Sequence, residues 1–302
     1  MKTTPGIILA TLTLAATAYS QSANYQITAF GAPHVNKAGG ERSDTRSIAV
    51  DGKGSILVFR RSSPHVLIFN RQGELQKAWG EGLFTDSHNI DVDHEGFVWL
   101  GDRNNQMVYK YTIDGRQLLA LGTKGVTGND TSRAAFNRPS DVAVAPNGDI
   151  FVADGYNNHR IVHFSKDGTF IKVIGGIEGK GPGQLHGVHG VKLDSKGRLL
   201  VLDGHDDNPR IQIFGQDGKF IEAWPALGLT MGSGFAIDNN DTVYVGDTDG
   251  EKIIVVKAGR IVETISGLGA RPHNIAWDPG DGAIYLADTG ALGGGAKKIV
   301  RK

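Results

Sequence analysis

Apolar and polar residues alternate in short runs along the chain, and the same arrangement recurs six times. Each unit contains an apolar strand, a polar turn, a second strand that ends at or near Asp, a third strand, a turn at Gly and a fourth strand. Short runs with a period of two, bounded by Gly, Asn and Asp, are typical of β-strands. The equivalent first-strand residues, 42, 52, 49, 44 and 40 positions apart, are Ile48, Ile90, Val142, Val191, Phe235 and Ile275.

Glycine separates the third strand from the fourth in five of the units. Asp-Gly and Gln-Gly pairs between alternating strands favour hairpins, because these residues tolerate a positive φ. We therefore predict four antiparallel strands in each unit. The predicted turn glycines are Gly73, Gly115, Gly168, Gly218 and Gly259.

Six four-stranded units with a period of 40 to 52 residues predict an all-β fold, a six-bladed β-propeller. The last unit has only three strands after His273, and we expect residues 25–31, YQITAFG, to supply the fourth. This N-terminal strand would close the ring and remove an exposed sheet edge. We predict one propeller domain over residues 21–302, with no linker and no long helix.

The first twenty residues have the layout of a secretory signal. Lys2 precedes an apolar run over residues 7–18, and small residues mark its end at Ala16, Ala18 and Ser20. The run is too short to cross a bilayer. We expect residues 1–20 to be removed, leaving a secreted or periplasmic monomer with no integral membrane segment. The chain has no Cys, so disulfides cannot contribute to its stability.

Composition limits the classes of partner. Apolar residues make up 39% of the chain and charged residues 21%, which is enough to bury a large core. The 32 basic and 32 acidic side chains cancel, so no long-range field attracts the protein to phosphate backbones or anionic lipid. We expect a small-molecule or peptide substrate and no nucleic acid.

Three histidines occupy one equivalent position in alternate units. His88, His189 and His273 each stand two residues before the equivalent apolar residue of their unit. The first strand of every blade lines the central channel of a propeller, so alternate blades place these side chains about 120° apart around its axis. We predict that the imidazoles converge; the alternative is a set of channel histidines that bind water. The intervening units hold Arg46, Ser140 and Ser233 at this position.

Three neutral imidazoles with a fourth position open to water are typical of catalytic zinc. Such an ion polarises a bound oxygen and promotes ionisation of water near neutral pH. The sequence therefore predicts a zinc site at His88, His189 and His273. We expect the other seven histidines in surface turns, with His186 and His205 in loops that rim the channel; the seven are His34, His65, His94, His159, His163, His186 and His205.

Two segments carry a resemblance to a known family. The segments ADGYNNHRIVHFSKDGTF, residues 153–170, and GIEGKGPGQLHGVHGV, residues 176–191, resemble NHL-repeat propellers. The similarity is strongest to the peptidyl-α-hydroxyglycine α-amidating lyases, also called peptidylamidoglycolate lyases, and extends over nearly all of the chain after the signal. It implies zinc on the three histidines, Tyr156 as the catalytic base and Arg61 in the substrate pocket. Arg60 is adjacent, and a one-residue slip would exchange the two arginines.

The resemblance also implies a calcium ion and a second pocket arginine. Calcium would be held by the backbone carbonyls of Ile48 and Ile90 and by a carboxylate, at whose position this chain has Asn274. An uncharged amide lowers the expected calcium affinity. The second arginine is expected just after Asp203, where this chain has Gly and His with inserted residues. Arg271, at a position where the family has Met, is the predicted replacement in substrate binding.

Three functions remain open. The first is a zinc-dependent lyase that cleaves the C–N bond of an α-hydroxyglycine-type carbinolamide, giving an amide and glyoxylate. The second is a non-catalytic NHL-repeat scaffold that binds partners outside the cytoplasm through rim loops at residues 123–138 and 178–185. The third, a calcium-dependent lactonase or gluconase propeller, would need more inward carboxylates than Asp91 and Asp141.

Overall fold

The computed structural model describes residues 20–21, 24–35, 44–204, 209–224, 226–290 and 295–302. The regular elements in these ranges are 25 β-strands. In this part of the chain no helix has the length and apolar character needed to span a bilayer. Almost all of the predicted signal segment, and His205, lie outside the described residues.

The first five blades are four-stranded antiparallel sheets with their strands in chain order. Blade 1 comprises β3 (Thr45–Val50), β4 (Ile56–Arg60), β5 (Val66–Phe69) and β6 (Leu75–Trp79). Blade 2 comprises β7 (Ser87–Val92), β8 (Val98–Asp102), β9 (Met107–Tyr111) and β10 (Gln117–Gly122). Blade 3 comprises β11 (Asp141–Val144), β12 (Ile150–Asp154), β13 (Arg160–Phe164) and β14 (Phe170–Gly175). Blade 4 comprises β15 (Val188–Leu193), β16 (Leu199–Asp203), β17 (Arg210–Phe214) and β18 (Phe220–Ala223). Blade 5 comprises β19 (Gly232–Ile237), β20 (Thr242–Asp247), β21 (Lys252–Lys257) and β22 (Arg260–Ile265).

Blade 6 joins the two ends of the chain, as predicted. It comprises β23 (Pro272–Trp277), β24 (Ile284–Asp288) and β25 (Gly295–Arg301), followed in the sheet by β2 (Tyr25–Phe30) and β1 (Ser20–Gln21). Strand β2 runs antiparallel to β25, with Tyr25 opposite Arg301 and Phe30 opposite Ala296. The fold is therefore the predicted six-bladed β-propeller, closed by β2, whereas the fifth strand of blade 6, β1, was not predicted.

Apolar side chains are buried mainly between neighbouring blades. Within the described residues, six clusters of buried side chains fill the contacts between adjacent blades, including the contact between blades 6 and 1. The second strands of five blades are buried at every position. This burial on both faces explains why those strands are almost continuously apolar, whereas outer strands such as β18 are largely exposed.

The predicted turn glycines all have positive φ. Position 115 requires glycine for two reasons. Its φ is +88°, and a Cβ atom there would lie 2.9 Å from the Trp79 ring. The backbone N–H of Gly115 donates to the carbonyl of Thr112 at 2.9 Å and closes the hairpin. This turn therefore needs glycine both for its conformation and for its packing against the neighbouring blade.

Candidate metal centre

The three predicted histidines meet at the channel axis. His88, His189 and His273 lie near the start of β7, β15 and β23, the first strands of blades 2, 4 and 6. One nitrogen from each ring lies within 4.8 Å of the other two. The ring centroids are 5.1 to 5.2 Å apart, and the ring planes are inclined by 63° to 87°. The three side chains, called the axial histidines below, thus form a nearly symmetric trio.

The intervening blades fix the orientation of each ring. Nδ1 of His88 lies 2.8 Å from the backbone carbonyl oxygen of Ser140, and Nδ1 of His273 lies 2.8 Å from that of Arg46. Nδ1 of His189 is hydrogen-bonded to the carbonyl of Ser233 in the same way. A carbonyl only accepts, so each Nδ1 carries the proton and donates it. Each Nε2 is left as an electron-pair donor, which is the usual way a protein orients a metal-binding histidine.

Buried aspartates at the ends of second strands fix the loops that lead to the histidines. Asp102 accepts hydrogen bonds from the backbone N–H groups of Thr85 and Asp86, just before His88. Asp203 accepts from residues 186 and 187. Asp288 accepts from residue 271. The Asp that recurs in the sequence pattern therefore fixes the backbone just before each axial histidine.

The donor set fits a borderline divalent ion such as zinc. Burial, followed by the neighbouring His273, lowers the pKa of His88 well below its usual range. The imidazole is therefore neutral at physiological pH, as a metal ligand must be. Three neutral imidazoles with an open fourth position match the ligand set of catalytic zinc.

Tyr156 lies beside this trio. Its hydroxyl oxygen is 2.9 Å from Nε2 of His88 and 3.0 Å from Nε2 of His189. The guanidinium carbons of Arg103 and Arg138 lie 4.8 Å and 5.3 Å from the centre of its ring. Burial raises the pKa of Tyr156, and the charge of Arg103 offsets only part of that rise. A further cation beside the phenol would favour its ionised form.

Two arginines share one buried carboxylate next to this tyrosine. Asp86 accepts from Arg61 at 2.9 Å and from Arg103 at 2.7 Å. Burial and then the charge of Arg61 lower the pKa of Arg46 to about 10. The result is a region in which positive side chains outnumber the carboxylate that neutralises them.

Sequence reasoning missed Arg103, Arg138 and Asp86. A signal for Arg103 was present, because it follows the last residue of β8 just as Arg61 follows the last residue of β4. The contacts of Arg60 and Arg61 indicate which of the two arginines belongs to the site. The Arg60 guanidinium donates to the carbonyls of Pro64 and His34 at 2.9 Å and 2.8 Å, so it braces a turn.

Arg271 has a different environment from the one predicted. Its guanidinium is paired with Asp249, and its side chain is 46% exposed. Its assignment to substrate binding stays a prediction, while the contacts around Tyr156 favour Arg103 as the second arginine of the site.

The residues predicted to hold calcium line a cavity of about 200 Å³ in the channel, together with Lys192. Asn274 Oδ1 accepts from the backbone N–H of Ile48 at 3.3 Å. The Lys192 ammonium is 2.8 Å from Asp91 and 3.1 Å from Asp141. Burial alone would lower the pKa of Lys192, but the two carboxylates outweigh it and raise that pKa above its usual value. A fixed ammonium already holds both carboxylates, so this donor set fits calcium poorly.

Two histidines predicted at the surface are buried. His65 is 4% exposed and His163 is 5% exposed. Nδ1 of His65 lies 3.1 Å from the carbonyl of Arg60. The ring of His163 stacks on Phe151 with centroids 4.3 Å apart, and its Nε2 lies 3.0 Å from Asp149. The prediction was wrong for both, because each ring packs inside the blades and one of its nitrogens has a polar partner there. Nδ1 of His163 is buried without a hydrogen-bond partner in the described part of the chain.

Fold and site together define a six-bladed β-propeller with three histidines converging on its axis. The NHL repeat family model matches residues 136–164. The chain is 31% identical over 271 residues to human NHL repeat-containing protein 3, with 82% of this chain and 77% of that protein covered. The chain belongs to the NHL-repeat family.

Several relatives carry the names of enzymes. A Caenorhabditis elegans protein named probable peptidyl-alpha-hydroxyglycine alpha-amidating lyase pgal-1 is 33% identical over 239 residues, covering 69% of this chain and 67% of that protein. The solved structure titled streptogramin B lyase covers 92% of this chain and 98% of its own, with a TM-score of 0.65 and 15% identity, and is evidence for the fold alone. The match to the Caenorhabditis elegans protein confirms the resemblance to the amidating lyases and favours lyase activity as the function class.

Proposed function

We propose that this protein is a zinc-dependent lyase that cleaves the C–N bond of an α-hydroxyglycine-type carbinolamide, releasing an amide and glyoxylate. The observation that carries the proposal is the convergence of the axial histidines beside the Tyr156 hydroxyl. A lone pair on each oriented Nε2 suits a metal ion, and the phenol is close enough to serve as a proton acceptor for a substrate hydroxyl in the same place.

The reaction needs a proton removed from the hydroxyl, one bond cleavage and a proton delivered to the leaving nitrogen. Bound zinc supplies Lewis acidity toward the substrate hydroxyl oxygen. Tyr156, in its ionised form, takes the hydroxyl proton; the oxygen electrons form the C=O bond of glyoxylate as the C–N bond breaks. The nitrogen leaves with the bonding pair and takes up a proton, which Tyr156 can return. No oxidant or water is consumed, and the phenolate is regenerated.

The arginines beside Tyr156 suit the carboxylate of such a substrate. Arg61 and Arg103 present planar guanidinium groups next to Asp86, and this geometry favours binding of carboxylates. Within the described residues, Nε of Arg46 and Nε of Arg138 are buried without a hydrogen-bond partner. An anion in this region would gain hydrogen bonds that the protein alone does not supply.

The setting of the reaction is also part of the proposal. The signal-like N-terminus supports export, and therefore a small-molecule or peptide substrate met in the periplasm or outside the cell. The name of the human relative describes a repeat rather than a reaction, so a binding or scaffold role is the competing function.

The test is turnover by metal-loaded protein. Protein purified without chelator and supplied with one equivalent of zinc is mixed with an N-acyl-α-hydroxyglycine, and glyoxylate is measured against the spontaneous rate. Enzymatic release of glyoxylate that stops on zinc removal supports the lyase. Stoichiometric zinc with no glyoxylate above background would favour the scaffold.

A further inference from the structure

A second group of metal-binding side chains lies in the loops of blades 3 and 4, outside the axial site. His159, Glu178 and His186, called the rim cluster below, each offer one ligand atom within 4.8 Å of the other two. Glu178 Oε1 is 3.3 Å from Nδ1 of His186 and 3.9 Å from Nε2 of His159. The exposed fraction of the side chain is 18% for His159, 60% for Glu178 and 34% for His186, so solvent ions can reach all three.

A carboxylate orients the first histidine of the cluster. Nδ1 of His159 lies 3.0 Å from Asp130 Oδ2, and the backbone N–H of His159 donates to Oδ1 of the same carboxylate. The Nδ1 proton is therefore directed to Asp130, and the Nε2 electron pair faces Glu178. At 3.9 Å this electron pair and the carboxylate oxygen are not hydrogen-bonded to each other. Two electron donors held in this way are suited to share a cation.

The backbone around the rim cluster is braced. The backbone N–H of Gly176 donates to the carbonyl of His159 at 2.8 Å, which ties the loop carrying Glu178 to the loop carrying His159. A parallel bridge joins Glu178 to Leu185, next to His186. Buried Arg210 donates to the carbonyl of Gln184 at 2.8 Å. The three ligands thus stand on segments that are fixed before any ion binds, which lowers the cost of ordering them.

We propose that the rim cluster is a second metal site, for a divalent first-row transition ion such as zinc. Two imidazoles, one carboxylate and open positions form a ligand set that zinc and its neighbours in the series accept. Asp130 acts from outside the ligand set by orienting His159. The ion joins the loop after β12 to the loop that leads into β15, and so it stabilises the approach to His189.

The test counts zinc on the full-length protein and does not depend on turnover. Wild type, H88Q/H189Q, H159N/H186N and the control H94N, an exposed histidine in a turn of blade 2, are stripped of metal, titrated with zinc, desalted and analysed for bound zinc. We expect two equivalents for wild type and H94N, and one for each double variant. D130N should bind zinc at the rim about 10 to 100 times more weakly, with the axial equivalent unchanged.

The outcomes separate this site from the proposed lyase centre. The rim site would be overturned if wild type bound one equivalent of zinc and H159N/H186N still bound it. It would also be overturned if H159N/H186N bound two equivalents of zinc. The rim site would be supported if H88Q/H189Q lost only the axial equivalent of zinc and if zinc still raised the melting temperature of that variant. If His159, Glu178 and His186 form only a protonated ion pair, zinc will leave the melting temperature of H88Q/H189Q unchanged.

Discussion

Nδ1 of His273 lies 2.8 Å from the backbone carbonyl oxygen of Arg46, 227 residues earlier in the chain. The contact joins blade 6 to blade 1, the pair of blades brought together by ring closure. The third imidazole is therefore oriented only in the closed ring. Because the acceptor is a backbone atom, no side-chain substitution at position 46 removes it, and the orientation depends on the architecture itself.

Replacing an axial histidine should remove the axial ion. H273A deletes one of three ligands, and we expect its zinc affinity to fall more than about 100-fold, since even residues outside a ligand set cost up to that factor. Zinc analysis after competition with a chelator measures the change, and glyoxylate release should fall with it.

The matched control for H273A is H94A, which deletes an exposed imidazole that is not one of the axial histidines. Its zinc content and turnover should equal those of wild type. Unchanged zinc affinity in H273A, in protein that melts like wild type, would contradict the axial site.

Tyr156 and Arg103 should have separable effects. Y156F removes the proposed base and should lower kcat by about 10² to 10⁴-fold while keeping the axial ion. Arg103 lowers the pKa of Tyr156 against the larger effect of burial. In R103M that pKa should rise, so the rise of kcat with pH should shift to higher pH. The pH dependence of kcat in zinc-loaded protein measures both effects.

Exposed Arg116 gives the control, because R116M removes a guanidinium from the surface of blade 2. It should leave the pH profile of kcat unchanged. A profile in R103M that coincides with wild type, or full activity in Y156F, would show that the phenol does not take the proton.

The repeat pattern predicted more than the number of blades. Gly115 could be placed in a hairpin from its neighbours alone, and β2 could be assigned to blade 6 because the last unit lacked a strand. The axial histidines were predictable because equivalent positions in a ring must meet. In these cases the information is local or is repeated along the chain.

Other features of the site depend on side chains from different blades, and no local pattern encodes them. The pairing of Lys192 with Asp91 and Asp141 follows from which channel side chains reach one another. His163 was expected at the surface because it does not occupy the equivalent axial position, yet its ring stacks on Phe151 and its Nε2 pairs with Asp149 inside the blade. Such pairings form only in the folded chain and leave no local pattern in the sequence.

The contact between blades 1 and 6 should contribute less to stability in acid. Arg71 donates to Asp278 through Nε at 2.6 Å and through a second nitrogen at 3.0 Å. Burial alone would raise the pKa of Asp278, but these bonds and the N–H of Gly280 outweigh it and lower that pKa below 3.8. This contribution to stability is present above the unfolded-state pKa of about 3.9 and is lost as the pH falls through the lower folded value.

D278N should therefore lower the melting temperature at neutral pH, and its difference from wild type should shrink as the pH falls below about 4. Thermal unfolding across a pH series measures this difference. D114N is the control, because Asp114 pairs with Lys77 at the surface and is 74% exposed. Exposed pairs contribute little, so D114N should melt like wild type. A D278N deficit that is the same at every pH would contradict the assignment.

Lys192 should replace calcium as the fixed cation of the channel. K192M leaves the carboxylates of Asp91 and Asp141 without their ammonium, and we expect a loss of about 3 kcal/mol in the free energy of unfolding. Adding D141N removes one of the two charges and should restore part of the loss. Denaturant unfolding with and without calcium measures both effects. Calcium should leave wild type unchanged and stabilise K192M, because two uncompensated carboxylates beside backbone carbonyls suit that ion. Stabilisation of wild type by calcium, or a K192M protein as stable as wild type, would contradict this role of the lysine.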